Sequence, residues 1–156
     1  QVLVGAAVDG DLAKPYRFTT TKPADDWKET AFNASGWSEA RAPFGTISNF
    51  RSEWRTPDIW LRREFEWDGK DVGTAALVIF HDETTEIYVN GQLVWNRGGF
   101  NTSYESFEVT KALVQALKPG RNTLAVHTHQ TGGGQFIDLA LLVSPAEKKT
   151  PTIGLR

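Results

Sequence analysis

Three features of this 156-residue chain predict an all-β fold, an antiparallel two-sheet β-sandwich with one short connector helix. Short apolar or alternating runs recur at 59–66, 75–81, 85–90, 92–95, 105–109, 122–129 and 136–143, the spacing expected of a sandwich. Asn90-Gly91 stands between two such runs and supplies the two left-handed residues that a type I′ hairpin turn demands. Gly, Pro, Asn and Ser cluster between the runs, where turns are needed.

The first 24 residues are weakly patterned, with Gly5, Gly10, Pro15 and Pro23 as breakers and Tyr16-Arg-Phe18-Thr as a short strand along the sandwich edge. Trp27, Phe32 and Trp37 flank the turn Asn33-Ala-Ser-Gly36, and a polar loop carrying Phe50 and Trp54 leads to the strand at 59. In the hairpin, a two-residue turn sets Val89 opposite Gln92, Tyr88 opposite Leu93, Ile87 opposite Val94 and Glu86 opposite Trp95. That register puts Ile87, Val89 and Val94 on a core face, and Tyr88, Leu93 and Trp95 on an outer aromatic face. Thr110 is placed to cap a helix of about two turns, Lys111–Leu117, which Pro119-Gly120 ends. Beyond Val143 the apolar period is lost, so residues 1–143 read as one sandwich domain and 144–156 as a linker or tail.

With 40% hydrophobic residues the chain can bury one core without staples. Lys and Arg total 17 against 19 for Asp and Glu, a formal charge of -2, which provides no electrostatic footprint for nucleic acid or an anionic membrane. No apolar run reaches the roughly 18 residues of a spanning helix, and no leader pattern opens the chain. The absence of Cys excludes disulfides and thiolate metal sites. A chain that starts at Gln1 and contains no Met is either a mature product whose leader has been removed or a domain cut from a longer polypeptide, and the second is the expectation.

The order Ile59-Trp-Leu-Arg-Arg-Glu-Phe65, Glu86-Ile-Tyr-Val-Asn-Gly91, Gly98-Gly-Phe100 and Leu117-Lys-Pro-Gly-Arg-Asn-Thr-Leu-Ala-Val126 resembles the sugar-binding jelly-roll domain of family 2 glycoside hydrolases. It covers residues 27 to 143 or so and places the chain among galactose-binding-like sandwiches. Gly133-Gly-Gln-Phe-Ile-Asp138 is similar to the ends of sandwich modules in other multidomain carbohydrate-active or glutaminase-like bacterial proteins. The resemblance implies a non-catalytic accessory domain of a larger glycoside-hydrolase-like protein, in a bacterial periplasmic or extracellular setting. It also implies that the catalytic barrel lies outside this sequence.

Several clusters have to be weighed against that reading. Asp82-Glu83 are adjacent carboxylates, and consecutive strand residues point to opposite faces, so they do not form the opposed pair a glycosidase needs. His127 and His129 share a strand face, with His81 from a neighbouring strand, but the spacing matches no zinc signature. Asp9, Asp11, Asp25 and Asp26 lie where a structural calcium, which such modules sometimes hold, would be sought; Asp9-Gly-Asp11 lacks the oxygen-ligand density. Gly132-Gly-Gly134 follows one strand and precedes another, which makes it a turn and not a phosphate cradle. Arg63 shares the inward face with Ile59, Leu61 and Phe65, so a carboxylate partner is expected for it, from Asp82, Glu64 or Asp138.

The functional expectation rests on exposed aromatics, because a sugar ring stacks its C–H face on an aromatic platform while polar side chains bond its hydroxyls. Trp95, Phe100 and Tyr104 are the candidate platforms, with Arg97 and Asn101 as polar selectors. Two roles remain open: a module that binds a glycan through these residues, and an interaction domain that braces a catalytic neighbour without a ligand of its own. No cofactor and no metal site is assigned.

Overall fold

The computed structural model describes residues 1–148 and residue 154. Its strands are β1 (Val2–Val4), β2 (Tyr16–Thr19), β3 (Ser38–Ala40), β4 (Phe44–Gly45), β5 (Ser52–Glu53), β6 (Asp58–Trp67), β7 (Val72–Asp82), β8 (Thr84–Val89), β9 (Gln92–Arg97), β10 (Glu105–Glu108), β11 (Gly120–His129) and β12 (Phe136–Pro145), with a helix α1 (Thr110–Ala116) before β11. Sheet A has the order β10-β7-β12-β4-β5, with β1 also beside β12, and sheet B has the order β3-β2-β6-β11-β8-β9. The two sheets form the expected sandwich. β12 continues two residues past the expected boundary, pairing Ser144 with Thr74 and Pro145 with Val72. Of the tail assigned to 144–156, residues 149–153 and 155–156 lie outside the described residues.

Alternation along the long strands builds the core. Leu77, Ile79, Ile137, Leu139 and Leu141 from sheet A meet Ile59, Leu61, Phe65, Ile87, Val89, Leu124 and Val126 from sheet B, all buried. Each such side chain stabilises the fold by about 1.5–3 kcal/mol through its removal from water. Leu113 and Ala116 of α1 join the same cluster. Contrary to expectation, Thr110 does not cap the helix. Its N-cap position is Val109, and Thr110 Oγ1 instead accepts a hydrogen bond from Ala75 N at 2.8 Å, tying the helix to β7.

The turn adopts positive φ at Asn90 (51°) and Gly91 (80°), as a type I′ hairpin requires. Val89 faces Gln92 and Tyr88 faces Leu93 as expected, but a β-bulge follows, and Ile87 then faces Trp95, Glu86 faces Asn96 and Thr85 faces Arg97. Val94 is the extra residue. A bulge turns two consecutive side chains toward one side, so the assignment of Trp95 to the outer face with Tyr88 and Leu93 is corrected. Val94 is 7% exposed, and Trp95 packs on the core with its ring edge-on to His81 (5.4 Å) and tilted against Phe107 (5.1 Å). Core packing from the opposite sheet sets the register beyond the turn.

Each sheet is covered on its outer face by a segment of the same chain. Residues 27–37 lie on sheet B, where Trp27 and Trp60 are buried with Phe32, Trp37 and Tyr88 packed around them. The segment around Ala7–Leu12 reaches sheet A through Ala7 N, which donates to Asp138 Oδ2 at 2.9 Å. Arg62 and Arg63 point to opposite sides of β6 and hold both covers. Arg62 donates to the carbonyls of Trp27 (2.5 Å), Glu29 (3.0 Å) and Phe32 (3.4 Å), and Arg63 to those of Gly5 (3.4 Å) and Leu12 (2.8 Å). The carboxylate partner expected for Arg63 is replaced by these carbonyls, because the covering backbone brings its C=O groups within reach where no acid side chain lies.

Replacing Gly91 with Val is expected to cost more than about 1 kcal/mol, since a β-branched residue is strained at positive φ. The new Cβ would also stand 2.3 Å from Glu29 Oε2, so that side chain would have to move. An unchanged midpoint and slope in chemical denaturation would contradict the turn geometry.

Candidate functional site

The five residues singled out at the β9–β10 corner are placed very differently from one another. Trp95 is turned inward, as above. Asn101 is 6% exposed and fully committed, with Oδ1 accepting from His81 N (2.9 Å) and Nδ2 donating to Ile79 O (3.0 Å). Tyr104 donates its hydroxyl to Asp138 Oδ2 at 2.5 Å and packs edge-on to Phe80. Arg97 pairs with Glu105 at 3.2 Å and lies over the Phe107 ring. Phe100 is open, at 61% exposure, and Arg97 is exposed as well despite its ion pair. Four of the five therefore close the edge of the sandwich between β9 and β10, and they do not converge on a shared cleft.

Phe80 of β7 lies opposite Asp138 of β12, Tyr104 just before β10 packs edge-on to Phe80, and Phe136 stacks on Phe80 at 4.1 Å. Burial raises the Asp138 carboxyl, although bonds from Tyr104, Ala7 and Leu139 oppose the rise. Its two oxygens already accept three donors, so this cluster anchors the N-terminal cover.

On the outer face of sheet B, Asp58 Oδ1 accepts from both His127 Nε2 and His129 Nδ1 at 2.8 Å, while Trp60 stacks on His127 at 4.8 Å. Burial alone would raise the Asp58 carboxyl, but the two imidazole bonds outweigh it and hold the group below its usual value. His81 is far from this pair in role: it is fully buried in the core, and its Nδ1 bonds Glu83 O at 2.6 Å. Among the described residues no group of three or more His, Asp or Glu side chains is placed to hold a metal ion. Asp9, considered for calcium, instead accepts from Ala6 N at 2.7 Å.

Asp82 and Glu83 divide as separate structural groups. Glu83 accepts from both the N–H and the hydroxyl of Thr131, while Asp82 stands beside Phe100 and Phe136 at the head of sheet A. Burial, reinforced by the Glu83 charge, pushes Asp82 up to about 6.

A groove at the β2 end of sheet B was not among the sequence expectations. It forms where β2 parts from β6: pairing ends at Arg17 with Arg62, and Lys14 and Pro15 diverge from Arg63 and Glu64. The resulting groove has a volume of about 550 Å³. Phe32 supplies one aromatic wall, with the Arg62 guanidinium over its ring at 5.4 Å and Trp37 edge-on at 5.6 Å. Asn33, Ser35, Glu39, Arg17 and Lys14 stand exposed around the rim. Three distant segments meet here, and the Asn33 turn beside Phe32 was the only local signal in the sequence.

Comparison with known proteins agrees with this architecture. A family 2 glycosyl hydrolase from Bacteroides cellulosilyticus superimposes with a TM-score of 0.64 at 20% identity, covering 85% of this chain and 20% of that one. The shared element is the two-sheet β-sandwich. A β-glucuronidase from Bacteroides uniformis shares the fold with a TM-score of 0.64 at 18% identity, over 93% of this chain and 18% of its own. In sequence, an α-L-rhamnosidase from Streptomyces avermitilis is 28% identical over 72% of this chain. The chain spans 12% of that rhamnosidase and about a fifth of the solved hydrolases. No family model matches the chain.

Because its folded pKa lies above the unfolded value, Asp82 is easier to ionise in the unfolded chain. Its contribution to stability is therefore lost as pH rises from about 4 to about 6. Asp82→Asn should raise the melting temperature at pH 7.5, with the gain disappearing below about pH 4. A gain of equal size at both pH values would contradict the shift.

Proposed function

We propose that this jelly roll is a non-catalytic accessory domain of a larger glycoside-hydrolase-like protein, and that it recognises carbohydrate through the groove beside Arg62. The groove carries the proposal, because it joins one aromatic wall to a rim of donors and acceptors in a space of the size small ligands occupy, about 300–1,000 Å³. Asn33 shows how the rim is prepared. Its Oδ1 accepts from Ser35 N at 2.9 Å, which fixes the turn and leaves its Nδ2 facing solvent. Hydroxyls bound here would replace good bonds to water, so affinity should be modest, about 10 μM to 1 mM.

A second reading has its own observation. Phe100 (61%), Leu93 (49%) and Val114 (47%) are exposed apolar side chains on or beside β9, the outermost strand of sheet B. An edge strand with apolar neighbours suits packing against an adjoining domain. This supports a bracing role for that edge alongside recognition at the groove.

Calorimetry against a glycan panel tests the first reading. Phe32→Ala and Asn33→Ala should each weaken binding several-fold while the circular dichroism spectrum is retained, and Phe100→Asp should leave it unchanged. Chromogenic glycosides should show no turnover at any pH, since Glu83 is engaged by Thr131 and Asp82 has no opposed carboxylate. Turnover that disappears in Asp82→Asn would overturn the non-catalytic assignment.

A further inference from the structure

Resting on the carbohydrate reading, we infer that the groove prefers a saccharide bearing a carboxylate, a uronic acid, over a neutral sugar. The reason is an imbalance of charge within it. Four cations line the groove, Lys14, Arg17, Arg62 and Arg63, against two carboxylates, Glu39 and Glu64, in a chain whose formal charge is -2. Both carboxylates are already engaged, Glu39 with Arg17 at 3.7 Å and Glu64 with Arg121 at 3.6 Å, so the excess positive charge rests on Lys14, Arg62 and Arg63.

Lys14, Arg62 and Arg63 have no carboxylate within ion-pair distance among the described residues. Arg62 and Arg63 are 7% and 8% exposed, and their bonds go to neutral carbonyls. Arg63 Nε is buried without any partner. A buried guanidinium is ordinarily matched by an anion, because carbonyl dipoles satisfy its geometry and leave its charge uncompensated. The groove thus holds a positive field next to an aromatic wall and amide and hydroxyl rim groups. A ring that presents hydroxyls and one carboxylate answers all three, with its carboxylate toward Lys14 and Arg17 and its C–H face toward Phe32. A neutral sugar uses the wall and rim and leaves the field unanswered.

The test is calorimetric titration of the intact chain with glucuronate, galacturonate and their disaccharides, each beside its methyl ester, with acetate as the bare anion. Each acid should bind about tenfold or more tightly than its ester, the size expected of a charged hydrogen bond. The preference should shrink at high salt. Lys14→Glu and Arg17→Gln should abolish it while the ester still binds. Lys111→Glu makes the same charge change on α1, which packs on β7 and β9 away from β2, and should leave the preference intact.

Equal binding of acid and ester would overturn this inference and leave the carbohydrate reading standing. Absence of binding by both would overturn the two together. Acetate binding as tightly as the uronates would reduce the groove to a simple anion site and overturn the saccharide assignment. A preference that survives both Lys14→Glu and Arg17→Gln would place the ligand elsewhere and overturn the inference as well.

Discussion

Arg62 and Arg63 are consecutive residues of a central strand, so their side chains leave opposite faces of sheet B, and each ends among backbone carbonyls of a segment that covers a sheet. The outer covers depend on this pair. Residues 27–37 and 5–12 contain little regular strand, and their carbonyls would be left without donors once pressed against apolar side chains. A guanidinium offers five donors in a rigid plane, so one side chain satisfies several carbonyls and fixes their spacing. Hydrogen bonds to a charged donor contribute about 1.5–3 kcal/mol each, and removal of the donor would strand every acceptor at once. Burial lowers the Arg62 pKa, a sign of what desolvation costs the charge even with those bonds in place.

The same arrangement accounts for the groove. β2 can pair with β6 only as far as Arg62, because the next residues must diverge to carry the chain around the N-terminal cover that Arg63 holds. Where the strands part, the sheet opens and the cations that fasten the covers line the gap. The far side of the sandwich is closed differently. Trp95, Phe107, His81 and the Arg97–Glu105 pair fill the space between the edges of the two sheets, and the bulge at Val94 is the local distortion that lets Trp95 reach it. Burial lowers the His81 pKa there, although the bond to Glu83 opposes the shift.

The parts of this fold that were legible in the sequence are those governed by local rules. The long strands β6, β7, β8, β11 and β12 follow from alternation, and the hairpin turn from the conformational demand at Asn90 and Gly91. Register was legible up to Tyr88 and no further, since the bulge is selected by Phe107 and His81 on the opposite sheet, which a local pattern does not encode. β1, β3, β4 and β5 escaped because strands of two or three residues carry too few positions to show a period, whereas β2 was marked by Tyr16 and Phe18. Nor could the corner cluster be judged from spacing: Phe100 and Asn101 are neighbours, yet one is open to solvent and the other holds two backbone groups of β7. Arg63 was rightly placed facing the core, and its partner was missed because carbonyls of a covering segment leave no mark in residue identity.

Location then constrains how the two proposed surfaces work together. The groove lies by β2 and β3 at one end of sheet B, and the exposed apolar residues on or beside β9 lie at the other. Three to four strand spacings of roughly 4.8 Å separate the gap between β2 and β6 from β9, about 14–19 Å, beyond the reach of direct contact and past the screening length of physiological salt. A saccharide at the groove would therefore neither displace nor electrostatically repel a domain packed on β9. The arrangement suits an accessory module, because one edge can be committed to a neighbour while the other stays open to ligand. Coupling between them would have to pass through the rigid ladders β6–β11–β8, whose core residues have no second packing arrangement on offer, so binding at one edge is expected to be independent of the other.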